Sequence, residues 1–149
     1  NFTKSLNYHT YNQNNQLSSI IQSTLSLYDK TTQTFSFTKP NVILYSTQTE
    51  SWHITADQGT SNEDYSHIFF SGHVVAIKTT IEPDGKPSND MTITTKTATY
   101  DNKTDLITTK DYVTIQQGDS ILHGTGMIAN LTTGQYKLLS SSQGHYVPE

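Results

Sequence analysis

The chain has 149 residues, 32% of them hydrophobic and 15% charged, with a formal net charge of -4, which suits one domain around one core and excludes the highly charged profile of a disordered chain. All nine basic residues are lysine, so the bidentate arginines and basic face of a nucleic-acid binder are missing and nucleic acid is excluded as a partner. Without cysteine there is neither a disulfide framework nor thiolate metal ligation; no run reaches the apolar length of a membrane span, and nothing at Asn1 resembles a signal peptide.

The segment QLSSIIQSTLSLY (16–28) comes nearest to a helical period, but its β-branched and hydroxyl side chains and the following Tyr-Asp-Lys-Thr turn favour a strand. From there the chain repeats a hairpin-like unit: TLSLYDKTTQTFSF, WHITADQGTSNEDYSHIFF, MTITTKTATYDNKTDLIT and GMIANLTTGQYKLL. These accompany KPNVIL, GHVVAI, KDYVTI and QGHYVP, whose Val42, Val74, Val113 and Tyr146 recur roughly every thirty to forty residues. Apolar side chains alternate within the units at Leu25/Leu27, Phe35/Phe37, Trp52/Ile54/Ala56, Val75/Ile77, Met91/Ile93, Val113/Ile115 and Tyr136/Leu138. Residues two apart share one face of a pleat, and the intervening Thr, Ser, Lys, Gln and His leave the other face wet. The expectation is an all-β sandwich, roll or solenoid with at most one helical turn.

Gly124-Thr125-Gly126 could be a phosphate cradle or a bend. A phosphate loop needs a helix after its glycines, whereas Met127, Ala129 and Leu131 continue in period two toward the turn LTTGQ. Gly124 and Gly126 therefore read as a bulge, where a strand bends sharply or backbones approach closely.

No constellation of reactive residues emerges. His9, His53, His67, His73, His123 and His145 include no pair at metal-ligand spacing. The carboxylates Asp57, Glu63, Asp64, Glu82, Asp84, Asp101, Asp105 and Asp119 fall in expected turns, where aspartate caps its own backbone. No nucleophile motif occurs, and no cofactor is expected. The sequons at Asn1, Asn102 and Asn130 are unremarkable in a chain rich in Asn and Thr.

Taken in order, WHITADQG, SGHVVAI, MTITTKTATYDNKTDLITT, DYVTIQQG, HGTGMIANL and the terminal GHY resemble the periplasmic domain of the LptC family, a component of the lipopolysaccharide export bridge. The resemblance covers about residues 8–147, including YNQNNQLSSIIQSTLSLYDKTTQTFSFTKPNVILY as that family's opening hairpin and Pro-led third strand. It implies an antiparallel β-jellyroll open at both ends, with an apolar trough inside. A transmembrane helix ahead of residue 1 would anchor it to the periplasmic face of the inner membrane. Implied partners are lipopolysaccharide, the inner-membrane ABC transporter and the next periplasmic jellyroll of the bridge. The trough would be lined by Leu27, Phe35, Phe37, Trp52, Ile54, Phe70, Val75, Ile77, Ile93, Val113, Ile115, Met127 and Leu138. Docking edges would lie at Tyr8 and Thr10 on one side and at Gly124, Gly126, Tyr136 and Tyr146 on the other. At the glycines a larger side chain is expected to disturb partner pairing more than folding. Two features depart from the family's pattern: TTIEPDGKPSND reads as a long polar loop, and the chain ends just after Tyr146.

Alternatives from other classes stay open at this stage. A soluble bridge component of the same system would share the jellyroll. A carbohydrate-binding β-sandwich would lay aromatic rings flat on an exposed face, and an enzyme on a β-roll would bring two carboxylates or a histidine cluster into one cleft.

Overall fold

The computed structural model describes residues 2–141, which form eleven strands and no helix. They are β1 (Phe2–Tyr11), β2 (Leu17–Asp29), β3 (Thr34–Thr38), β4 (Asn41–Tyr45), β5 (Glu50–Thr55), β6 (Gln58–Asn62), β7 (His67–Ile81), β8 (Pro87–Asp101), β9 (Leu106–Gln117), β10 (Ser120–Asn130) and β11 (Tyr136–Ser141). All pairings are antiparallel, in the order β11-β10-β9-β8-β7-β5-β4-β2-β3-β6, with β1 added to β2 and β6 returning to β7. Three of the four predicted hairpin units are present as β2–β3, β8–β9 and β10–β11, and the remaining one, 52–70, divides into β5, which pairs elsewhere, and a β6–β7 hairpin. The segment expected to be a long polar loop is not one: β7 runs to Ile81 and β8 starts at Pro87. Its Thr and Ser residues pair across the hairpin, Thr79 with Asn89 and Thr80 with Ser88, leaving a tight turn closed by Gly85 N–H to Glu82 O at 2.8 Å.

The sheet folds over because its strands are interrupted at one common level. β2 pairs with β4 through Ser19–Gln22 and with β3 through Leu25–Asp29. β7 does the same, meeting β6 through Ile68–Ser71 and β5 through Val75–Thr80. Between these halves lie Lys39-Pro40, which separates β3 from β4, and Ala56-Asp57, which separates β5 from β6. Register shifts continue the line across β7–β8 (Ser71 to Val74), β8–β9 (Thr95 to Thr99) and β9–β10 (Thr125 to Met127). A bulge bends its strand and frees one residue from the ladder, so this row of interruptions forms a seam along which the sheet turns back into two layers. Left-handed backbone, otherwise found in the turns, occurs here within or between strands, with φ of 51° at Lys39, 81° at Gly72, 48° at His73 and 79° at Gly126. Across the seam Lys39 N–H donates to Asp57 O (2.9 Å), and Asp57 N–H donates to Gly72 O (2.8 Å).

The seam also sets which side chains face inward. On β8 the buried set changes phase from Met91, Ile93 and Thr95 to Ala98 and Tyr100. On β10 it changes at Gly126, before Met127 and Ala129. The two layers enclose one apolar cluster, with Trp52, Ile54, Phe70 and Val113 at 1% exposure or less. Burying each such side chain stabilises the fold by about 1.5–3 kcal/mol. Val42, Val74 and Val113, the recurring positions of the repeat, are all in this cluster.

Candidate functional site

The interior is the first element of the site. Of the residues expected to line it, Trp52, Ile54, Phe70, Ile93, Val113, Ile115 and Met127 meet in the core cluster, and Leu138 packs against it. Phe37 is buried and Phe35 half-buried on the same face of β3. Three others point the other way. Leu27 pairs with Ser36, on the side of the sheet away from Phe35 and Phe37. Val75 and Ile77 pair with the exposed Thr55 and His53, while Val74 and Ala76 take the inward positions. In VVAI both phases are apolar, so alternation alone cannot choose the inner one. On β2 the buried face passes from Ile21 and Ser23 to Ser26, which turns Leu25 and Leu27 outward.

The interior reaches the surface beside β1. A cleft of about 310 Å³ there has a floor of Ile21, Val42, Leu44 and Ile68, and its rim includes Tyr8, Thr10, Ser18, Ser19, Asp64, Tyr65 and Asp105. Tyr8 and Thr10, expected at a docking edge, thus also face this opening from β1. Tyr65 partly fills it. It sits in the turn between β6 and β7 with φ of 60°, and its ring lies 4.6 Å from that of Tyr8 and 5.0 Å from that of Phe35. Phe35 continues the group to Tyr28 at 4.9 Å, and the Tyr28 hydroxyl donates to Glu63, which raises its pKa. Tyr65 was missed from sequence because a turn residue carries no periodicity. Deeper in the cleft Tyr100 donates to Asp105 Oδ1 (2.7 Å); burial, reinforced by that carboxylate, pushes its phenol far up, so it stays a donor. Beyond it Trp52 Nε1 donates to Leu131 O (3.1 Å), a bond also approached by Ser46 Oγ (3.3 Å). This ties β5 to the residue that follows β10.

The second element is the pair of sheet ends. Among the described residues β1 pairs only with β2 and β11 only with β10, so each keeps an unpaired row of backbone N–H and C=O groups. Gly124 and Gly126 lie one strand in from the edge, on β10, where β11 covers them. The register does shift at Gly126, but the extra residue is on the neighbouring strand: Lys110 and Asp111 of β9 stand opposite Gly126 alone, while Gly124 pairs in regular register with Val113. A Cβ on Gly124 would stand 3.0 Å from the Leu138 methyls and 3.1 Å from Ser140 O, and one on Gly126 would stand 3.0 Å from Leu139 Cβ. Substitution at either position therefore strains the fold itself, in contrast to the expectation that it disturbs chiefly partner pairing. Tyr136 is half-buried against the core, and Tyr146 lies outside the described residues.

Among the described residues two ion pairs share Asp57 at the seam, and a third joins His67 to Asp101 at the start of β7. Asp57 accepts from His73 Nδ1 (2.6 Å) and Lys39 Nζ (3.2 Å), and these bonds, His73 first, hold its pKa below the usual carboxylate value. Asp101 is lowered chiefly by the Lys103 backbone N–H, and Asp64 by Ser66. Among the described residues no group of three or more His, Cys, Asp or Glu could hold a metal ion. No helix there is long and apolar enough to cross a membrane.

The fold resembles a solved structure, the LptA-homologous periplasmic component LptH of the lipopolysaccharide transport device of Pseudomonas aeruginosa, with a TM-score of 0.59 over 88% of this chain and 94% of that one. At 11% identity this likeness concerns the jellyroll alone. No curated protein sequence matches the chain. The profile of one family, described as "Lipopolysaccharide-assembly, LptC-related", matches residues 2–147, nearly the whole length. An antiparallel jellyroll with an apolar interior, matched over residues 2–147 by that profile, this chain belongs to the LptC-related family of lipopolysaccharide-transport components.

Proposed function

We propose that this domain takes lipopolysaccharide from the inner-membrane ABC transporter and hands it to the next periplasmic jellyroll, without covalent chemistry. In this reading the acyl chains enter through the cleft at Tyr8 and Tyr65, and a transmembrane helix ahead of residue 1 holds the domain at the inner membrane. The observation that carries it is an apolar interior that opens beside β1, in a sheet whose two end strands are each paired on one side among the described residues. Each exposed methylene of an acyl chain costs about 0.8 kcal/mol in water, so a lipid with several chains needs a continuous apolar path. Free edges endanger a lone protein but serve one whose partners supply the missing strands. Work to drive the lipid would come from ATP hydrolysis in the transporter, since this chain carries no nucleotide motif.

Photo-crosslinking tests the reading. A photoreactive phenylalanine analogue at Tyr65, Phe70 or Ile115 should form adducts with lipopolysaccharide in cells with an active transporter. If none of the three positions yields an adduct while the variants remain folded, the interior is a sealed core and the transfer role is wrong.

A further inference from the structure

A second apolar surface lies outside the jellyroll. On the outer face, Phe69, Thr99, Thr108, Ile128 and Lys137 form one row across five strands, each residue paired with the next. Leu139 stands beside this row, over Gly126. Together Phe69, Ile128 and Leu139 wall a groove of about 420 Å³, and Lys110 is on its rim. All three are large apolar side chains at 39–55% exposure, an arrangement that a chain in water alone gains nothing from.

Charge decides what fits. The chain is acidic overall at -4, yet the residues around this groove include Lys110, Lys137 and, where β8 crosses the seam, the exposed Lys96. None of these lysines makes an ion pair among the described residues. The carboxylates beside the groove are already engaged: Asp111 accepts from Thr97, which lines it, and Asp101 pairs with His67. A second copy of the chain would bring like charges together across the groove. We infer that this face docks the domain onto a bilayer surface bearing anionic lipids, with Phe69, Ile128 and Leu139 entering the headgroup boundary and the lysines meeting phosphates. Apolar insertion combined with basic residues is how peripheral proteins bind such surfaces. The inference is independent of the interior's role, because these side chains point away from it.

Flotation with vesicles tests it, using residues 1–149 and equal parts phosphatidylethanolamine and phosphatidylglycerol, or phosphatidylethanolamine and phosphatidylcholine. The chain should float with the anionic vesicles and be released as salt rises. Lys110→Gln and Lys137→Gln should each weaken binding by about fivefold at low salt. Ile128→Ser with Leu139→Ser should abolish it, and Lys30→Gln, in the turn after β2, should leave it unchanged. Equal flotation with both vesicles, an equal loss in Lys30→Gln, or no flotation of the parent chain would overturn the inference. So would preferential binding to poly-glutamate, which would assign the face to an acidic protein. A double variant that no longer floats yet still yields interior adducts with lipopolysaccharide separates this surface from the proposed transfer role.

Discussion

Replacing Gly126 by alanine probes the seam most directly. The residue has φ of 79°, and a non-glycine residue in the left-handed region costs about 1–2 kcal/mol. Its new Cβ would lie 3.0 Å from Leu139 Cβ and Cδ1. The Leu139 methyls are half-exposed and can turn away, but its Cβ is set by the β11 backbone, so the strand must move. Overpacking of this kind costs about 1–3 kcal/mol. Alanine also restricts the unfolded chain, which returns about 0.4–1 kcal/mol. The net expectation is a loss of about 3 kcal/mol, which lowers the melting temperature of a domain this size by about 6–12 °C. Gly85→Ala is the matched control, because Gly85 has φ of 84° but nothing within 4 Å of an added Cβ. Thermal and urea unfolding of both variants separate backbone strain from the clash with β11. If Gly126→Ala is no less stable than Gly85→Ala, the seam does not depend on close approach of β11, and the account of the bend is wrong.

Other expectations follow from the same geometry. Val74→Ala should cost about 2 kcal/mol in urea unfolding and Val75→Ala well under half of that; equal losses would mean that the inward face of β7 has been assigned incorrectly. Trp52→Phe removes the bond from Nε1 to Leu131 O and should cost about 1–2 kcal/mol, whereas an unchanged midpoint would show that Ser46 satisfies that carbonyl alone. Asp57 has a pKa lowered in the fold, so its stabilising effect is present above an unfolded-state value of about 3.9 and fades as pH falls below it. The melting-temperature gap between the parent chain and Asp57→Asn should accordingly narrow from neutral to strongly acidic pH, and a gap that stays constant would remove the carboxylate from the seam's stability.

Alternating side chains, turn residues and the absence of any helical period were enough to read an all-β chain of hairpins, since each strand's amphipathic pattern is a property of adjacent residues. Gly126 marked a break in the ladder for the same local reason, although the extra residue sits opposite it on β9. What the sequence could not settle was the phase of each strand against the interior. Leu25/Leu27 and Val75/Ile77 alternate as well as Phe35/Phe37 does, yet they face outward, because inward phase depends on where pairing slips along the seam. That slip is fixed by partners distant in sequence: Asp57 with Lys39 and His73, and β11 over Gly126. Likewise Tyr65 becomes part of the cleft only when the turn after β6 meets β1, and the outer groove exists only once Phe69, Ile128 and Leu139 are carried onto one face. Local patterning determined the strands of this protein; long-range register, which a one-residue shift inverts, decided which of their faces became interior, edge and surface.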